Sequence, residues 1–498
     1  MSKAYEQLSG LLEKTMALQT SLILFEWDNE TLAPEEAGSY TAKVIGILSE
    51  EYYRAMTDKA MEDAIEACEQ DLSLTSLEKA IVRETKEERE RLVCIPSREY
   101  REFAQLTAES TRVWMKARQE KNFDAFAPTL EKVIQYQKKF ASYRAKEGEA
   151  LYNVMLDGYE KGVDMNTLDR FFGELKETIV PLLRDIKEKG RKIPSDFLQG
   201  DYPEDKQRLL AVMIGEYMGF DFKRGVLGVS AHPFTTNLHN HDVRITTSYN
   251  DHVDSSLFSV IHEAGHGLYE LGIADELTQT PVGQGASMGM HESQSRFFEN
   301  IVGRNENFWV PIYGKVQELF PEQLKDITLK QFVDAINKAE PGLIRTEADE
   351  LTYSLHVMIR YELEKMIVED NLDIQKLPKI WADKYEEYLG VRPANPAEGV
   401  LQDIHWSQGS FGYFPSYALG NAFGAQLYYH MRKIMDFDGL LREGKIDQIR
   451  DYLREHIHQY GKLKTSRELL KDTTGEDFNP SYYVQYLKEK FSSLYGLS

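Results

Sequence analysis

From Met1 to about Arg191, apolar residues return every three or four positions among charged ones, as in Leu8, Leu11, Leu12 and Met16, the period that lays one apolar stripe along an α-helix. Packed helices with solvated outer faces are expected there. The block Arg83 to Arg91 is almost entirely charged, but its signs are mixed and sit at helical spacings that favour pairing, so it reads as a solvent-facing helix. A different pattern begins at Gly225. Val226 to Ser230 and the alternating Val243, Ile245 and Thr247 are short, β-branched and bounded by turn formers, which predicts a small hairpin or sheet. His239, Asn240 and His241 form the turn between strands in this reading. Asp254 to Gly272 (DSSLFSVIHEAGHGLYELG) has capping residues in front, helical apolar spacing within and a glycine at its end, and predicts a helix. A second helical pattern runs from Met288 to Arg304. Arg392 to Glu398 is a loop by its two prolines, glycines follow from Gly409 to Gly412, and a helical pattern then resumes to the C-terminus.

These patterns add up to a mainly α fold with a small β-hairpin or sheet beside the 254–272 helix. No internal repeat or low-complexity tract points to a solenoid. Length alone leaves the domain count open, and the 498 residues are read as one domain in which residues 1 to about 200 form a helical wall of a cleft and residues 201–498 carry the motifs described next.

Composition narrows the partners. Net charge is -22, from 59 basic and 81 acidic residues, and it repels nucleic-acid phosphates and anionic lipid surfaces. Apolar runs such as Leu22 to Phe25 fall far short of the roughly 20 residues that cross a bilayer. The N-terminus shows no basic patch followed by an apolar stretch and a cleavage site. With only Cys68 and Cys94 as thiols, the expectation is a soluble, cytoplasmic protein with reduced cysteines and neither nucleic acid nor membrane as partner.

The chemistry lies in the 254–272 helix. His262 and His266 are four residues apart and project from one face about one turn from each other, so two imidazoles can share one ion. Zinc suits that donor set and lowers the pKa of its water to about 7. Glu263 stands beside the ion rather than on it, as a general base that takes a proton from the attacking water and hands it to the leaving amine. A catalytic zinc takes a third protein ligand, and Glu292, the nearer acid of the 288–304 pattern, is assigned that place. Glu270 and Glu276 are alternatives, although Glu270 lies one turn beyond His266 and reaches back poorly. Glu299, two turns after Glu292, is read as supporting the site, and His291 points roughly 100° away from Glu292.

At this point the chain resembles the carboxypeptidase Taq family of zinc metallocarboxypeptidases. The resemblance rests on Trp27-Asp28 with Thr31 and Pro34, His232-Pro233-Phe234, Asp242 to Thr246 and the HEAGH of residues 262–266. It continues through His291 to Gln294, Ile344 to Asp349, and Gly399 to Trp406, all in the family's order. It implies an α-helical fold with a deep central cleft, a divalent metal that is usually Zn2+ and sometimes Co2+, and a homodimer. It also implies broad removal of C-terminal residues from peptides, sparing proline.

An enzyme acting at a C-terminus must hold a free carboxylate, which the arginine fork meets with two hydrogen bonds, and Arg345 and Arg244 are the candidates. Either can instead pair with a neighbouring acid such as Asp349 or Asp242. His232, His405, Tyr413 and Tyr417 are candidates to bind substrate and stabilise the oxyanion, the last two in a stretch, Ser407 to Asn421, read as a loop lining the cleft. Asp349 and Asp403 are candidates to orient a ligand imidazole. A zinc oligopeptidase that cuts internal bonds is the alternative reading. A helical binding protein with a structural zinc is a third, and it leaves Glu263 without a purpose.

Overall fold

A computed structural model describes residues 2–497. Helices dominate it, and their starts follow local capping chemistry. Ser2 accepts from the Tyr5 amide to open helix Lys3–Thr31, and Thr75 and Glu78 form a reciprocal capping box at the start of helix Ser76–Val93. Helices Lys3–Thr31, Gly38–Thr57, Lys59–Glu69 and Ser76–Val93 share a small apolar cluster that includes Leu8, Leu12, Met61, Ile65 and Ile81. That cluster touches the rest of the molecule through Ile273, Leu277 and Val282. A far larger core occupies the remainder of the chain. The charged block does form part of helix Ser76–Val93, with Arg83, Glu90 and Arg91 exposed, and its Arg83, Glu84, Glu87 and Arg91 also line a cavity.

The predicted small sheet is present as three strands, β1 (Gly225–Val229), β2 (Thr235–His239) and β3 (Asp242–Thr247), in the order β1-β3-β2. β3 runs parallel to β1 and antiparallel to β2. Val243 and Ile245 lose all exposure by facing the core, while Asn240 and His241 make the β2–β3 turn. Asn240 Nδ2 donates to the Ile273 carbonyl and to Asp275, and His241 Nε2 lies 3.1 Å from Asp275 Oδ1, so the turn is fastened to the segment after the next helix.

That helix, Val253–Gly272, carries the HExxH residues and is buried on nearly every side, unlike the one-sided helices near the N-terminus. Leu257, Val260, Ile261 and Leu268 bury their side chains there, each contributing about 1.5–3 kcal/mol relative to exposure. The second predicted helix is divided. Residues Met288–Arg296 are α-helical, and Phe297–Val302 form a π-helical turn. Tyr413 lies in a short loop as expected, but Tyr417 and Asn421 belong to helix Pro415–Ile434, because proline is well placed in a first helical turn. Both cysteines are free.

Candidate active site

The HExxH helix and helix Met288–Arg296 approach each other at Gly265. A Cβ there would stand 2.7 Å from the Ser295 Cα and 2.8 Å from the Gln294 carbonyl oxygen, so only glycine admits this spacing. The approach brings three side chains together. One ligand atom each from His262, His266 and Glu292 lies within 4.8 Å of the others. Glu292 Oε2 is 3.9 Å from His262 Nε2 and 3.6 Å from His266 Nε2. Those separations are too long for hydrogen bonds. They suit a shared ion, since ligands about 2.1 Å from a tetrahedral cation stand roughly 3.4 Å apart. The two imidazole nitrogens and one carboxylate oxygen are also the donor types of a catalytic divalent site.

Each of these three side chains is held by a neighbour. His262 Nδ1 lies 2.8 Å from Glu299 Oε2, and Glu292 Oε1 accepts from Arg296 Nε at 2.7 Å. Arg296 Nη1 also donates to Glu299 at 3.0 Å, so one guanidinium ties both acids into a single buried unit. Burial works to raise the pKa of Glu299, but Arg296 and His262 outweigh it and hold the carboxyl at about 2. Glu292 is likewise held well below the usual carboxylate range, with Arg296 the strongest influence against its burial. His262 lies above its ordinary value because Glu292 and Glu299 more than offset burial, an environment that a cation satisfies equally. Burial pushes His266 down to about 3, leaving a neutral ring. His266 Nδ1 lies 2.5 Å from His291 Nδ1, and His291 Nε2 lies 2.6 Å from Glu270 Oε1. Glu270 therefore pairs with His291 and lies outside the His-His-Glu cluster.

Glu263 is buried beside this cluster, and its Oε2 accepts from Thr235 Oγ1 at 2.6 Å. Burial raises its pKa, with His262 and Thr235 opposing. Two cavities meet the site. One, of about 850 Å³, is lined by His262, Glu263, Glu292, Arg296, Arg345 and Tyr417 among others. The second, of about 650 Å³, includes Thr235, Glu270, His291, Tyr413 and the charged face of helix Ser76–Val93.

The remaining sequence candidates separate. Arg345 lines the larger cavity, is buried, and donates through Nε and Nη2 to Asp403 Oδ1 at 3.0 and 2.9 Å and through Nη1 to the Tyr353 hydroxyl at 3.1 Å. Arg244 lines neither cavity and pairs with both oxygens of Asp242 at 2.8 Å. His232 is exposed beside Pro233 and lines neither cavity. His405 stands behind Tyr417, its Nε2 3.1 Å from that hydroxyl. Neither Asp349 nor Asp403 meets a ligand imidazole, which corrects the sequence expectation. Asp349 caps helix Glu350–Val368 by accepting from the Leu351 and Thr352 amides, and Asp403 is shared by Arg345 and Arg360. Two buried arginines occupy Asp403, and backbone amides with the Thr352 hydroxyl occupy Asp349, so neither is left for a histidine. Thr235 and Arg296 escaped the sequence reading, although Arg296 stands four residues after Glu292 and three before Glu299, the spacing of helical ion pairs.

Another buried acid supports the ligand helix from outside. Glu160 Oε2 accepts from Ser287 Oγ at 2.6 Å and from the Gly289 amide at 3.1 Å, at the start of helix Met288–Arg296. Burial raises its pKa from 4.5 to about 7. The unfolded chain thus loses this proton before the folded one does. Its contribution to stability is full below pH 4.5 and is lost as pH rises through 7, by up to about 3 kcal/mol. Thermal unfolding of Glu160→Gln is expected to fall less steeply between pH 4.5 and 7 than that of the parent, and identical slopes would refute the assignment.

Comparison with known proteins agrees with this geometry. The family description "Carboxypeptidase Taq (M32) metallopeptidase" matches residues 7–491. Carboxypeptidase 1 of Bacillus subtilis is 41% identical over 490 residues, covering 98% of both chains. Thermostable carboxypeptidase 1 of Thermus thermophilus is 36% identical and covers 99% of both. Among solved structures, an M32 carboxypeptidase from Deinococcus radiodurans matches with a TM-score of 0.96 at 32% identity, covering 99% of this chain and 100% of that one. Pyrococcus furiosus carboxypeptidase matches with a TM-score of 0.94 at 35% identity over 99% of each chain. The helical fold with one small sheet is shared with these enzymes, and the metallopeptidase family implies a divalent metal, for which this chain offers the His-His-Glu cluster. The agreement spans nearly every residue, so the chain belongs to the carboxypeptidase Taq (M32) family and is a metallocarboxypeptidase.

Proposed function

We propose that the enzyme releases single residues from peptide C-termini, with Zn2+ held by His262, His266 and Glu292, Co2+ as a substitute, and Glu263 as general base. The observation that carries this reading is the placement of Arg345 and Glu263 on the walls of one cavity that also contains His262 and Glu292. A bound divalent cation supplies Lewis acidity and a water of lowered pKa. Glu263 accepts the proton of the attacking water and returns it to the leaving amine, with Thr235 fixing the carboxylate's orientation. Arginine carries five N–H donors, and Arg345 uses three on Asp403 and Tyr353, so two of five remain for a terminal carboxylate. Tyr417, held by His405, donates to the developing oxyanion. Tyr413 faces the upstream peptide in the second cavity. Arg244 and His232 have weaker support as substrate contacts, since neither lines a cavity of the site.

The proposal extends to broad specificity that spares a C-terminal proline, a homodimer, and a cytoplasmic location. The free thiols support the last of these, and among the described residues no helix is long and apolar enough to cross a membrane. A peptide with a free C-terminus is expected to be cleaved roughly ten- to a hundredfold faster than its C-terminal amide, the loss of a charge-assisted contact. Equal rates would favour the oligopeptidase reading instead.

A further inference from the structure

The ring nitrogens around His266 have a hydrogen-bond order that fixes one tautomer. Glu270 is surrounded by donors: Asn237 Nδ2 meets Oε2, and the Gly285 amide meets Oε1 at 3.3 Å. A carboxylate so placed accepts, and His291 Nε2, 2.6 Å from Oε1, must carry its proton there. With its proton on that nitrogen, His291 presents the lone pair of Nδ1 to His266. The proton shared across the 2.5 Å contact therefore sits on His266 Nδ1, and His266 Nε2 is left bare on the side of Glu292. The reverse arrangement would put a proton on His266 Nε2 facing Glu292 Oε2 at 3.6 Å, a distance that makes no hydrogen bond.

We infer that Glu270 and His291 form a two-step relay that selects the metal-binding tautomer of His266, as Glu299 does in one step for His262. This rests on the metal-site reading proposed above. In many metal sites a carboxylate meets the ligand imidazole directly, and its loss lowers metal affinity by about 10–100-fold. Here the HExxH helix supplies the acid one turn beyond the ligand, and the residue before Glu292 bridges the gap. The surrounding chain is shaped to admit this bridge. A Cβ at Gly285 would stand 2.7 Å from His291 Cδ2 and 3.4 Å from Glu270 Oε1, so a larger residue there would displace the ring. His291 and Glu270 are positioning residues in this arrangement, since they act on the ion through His266, although both also line the second cavity.

The test is made on the full chain with zinc alone as probe. Chelator competition measures the zinc dissociation constant, and long-range proton–nitrogen spectra of the metal-free protein report which nitrogen of His266 is protonated. His291→Phe removes the acceptor and is expected to weaken zinc binding about 10–100-fold. His291→Asn returns an acceptor near the position of Nδ1 and is expected to recover most of that loss, which a merely space-filling role would not predict. Glu270→Gln keeps a carbonyl oxygen for His291 and is expected to cost only a few fold. The otherwise unpartnered Oδ1 of Asn237 can turn to meet the new amide in that variant. The His266 tautomer in the parent protein provides a readout that does not depend on any variant folding. Protonation on Nε2, or unchanged zinc affinity in folded His291→Phe, overturns the relay. His262→Ala serves as the control: if it retains stoichiometric zinc, the metal site itself is misassigned, whereas loss of zinc there beside normal binding in His291→Phe sinks the relay alone.

Discussion

Glu263→Gln is expected to keep the fold and the metal while lowering kcat by about 10²–10⁴-fold, the usual contribution of a positioned proton-transfer group. Glutamine has nearly the same shape and still offers an oxygen to Thr235 Oγ1, whose 2.6 Å bond fixes the native carboxylate. What it lacks is the capacity to accept the proton of the attacking water. The side chain is buried, so no bulk carboxylate or buffer anion replaces it readily. Its environment also matters for the reaction. Burial raises the carboxyl above the ordinary glutamate value, making it a stronger base than a surface glutamate would be. Metal analysis beside steady-state kinetics separates the two effects, and a variant with a full complement of metal and undiminished turnover would remove Glu263 from the chemistry.

The second large effect is expected at Glu292. Its replacement by alanine removes one of three anchoring groups and should reduce bound metal from stoichiometric to a small fraction, with activity lost in parallel. It also leaves Arg296 with Glu299 as its remaining carboxylate, so the metal-free variant should lose about 1–3 kcal/mol through the unsatisfied buried donor. Helical signal should persist, since the large core does not depend on one ion. Chelation of the parent protein is expected to abolish activity with the same retention of helix. Stoichiometric metal in Glu292→Ala would show that another group completes the site.

The parts of the site that could be read in the sequence are those whose partners are close along the chain. His262, Glu263 and His266 fall within five residues on a capped helix, and the short β-branched strands before them announce the sheet. The partners that escaped are distant or depend on helical irregularity. Asp403 is 58 residues from Arg345, and no local period links them. Glu160 reaches Gly289 across 129 residues, carried there by packing that periodicity cannot specify. The glycines before Tyr417 look flexible and predict a loop, yet Pro415 pre-sets the backbone angle of a first helical turn. The pairing of Glu270 with His291 follows from the approach of two helices at Gly265, which a single strand of letters does not contain.

The π-turn at Phe297–Val302 has one residue more per hydrogen-bonded ring than the α-helix it interrupts. Such a segment is a local surplus of chain, lodged between the carboxylate that faces the two imidazoles and the arginine at position 304 that helps neutralise Glu299. Shortening it by a single residue would let the helix return to ordinary winding and would rotate everything downstream by about 100°. A one-residue deletion, harmless in most surface loops, would therefore misplace Arg304 and all that follows, whereas a substitution at these six positions leaves the winding intact.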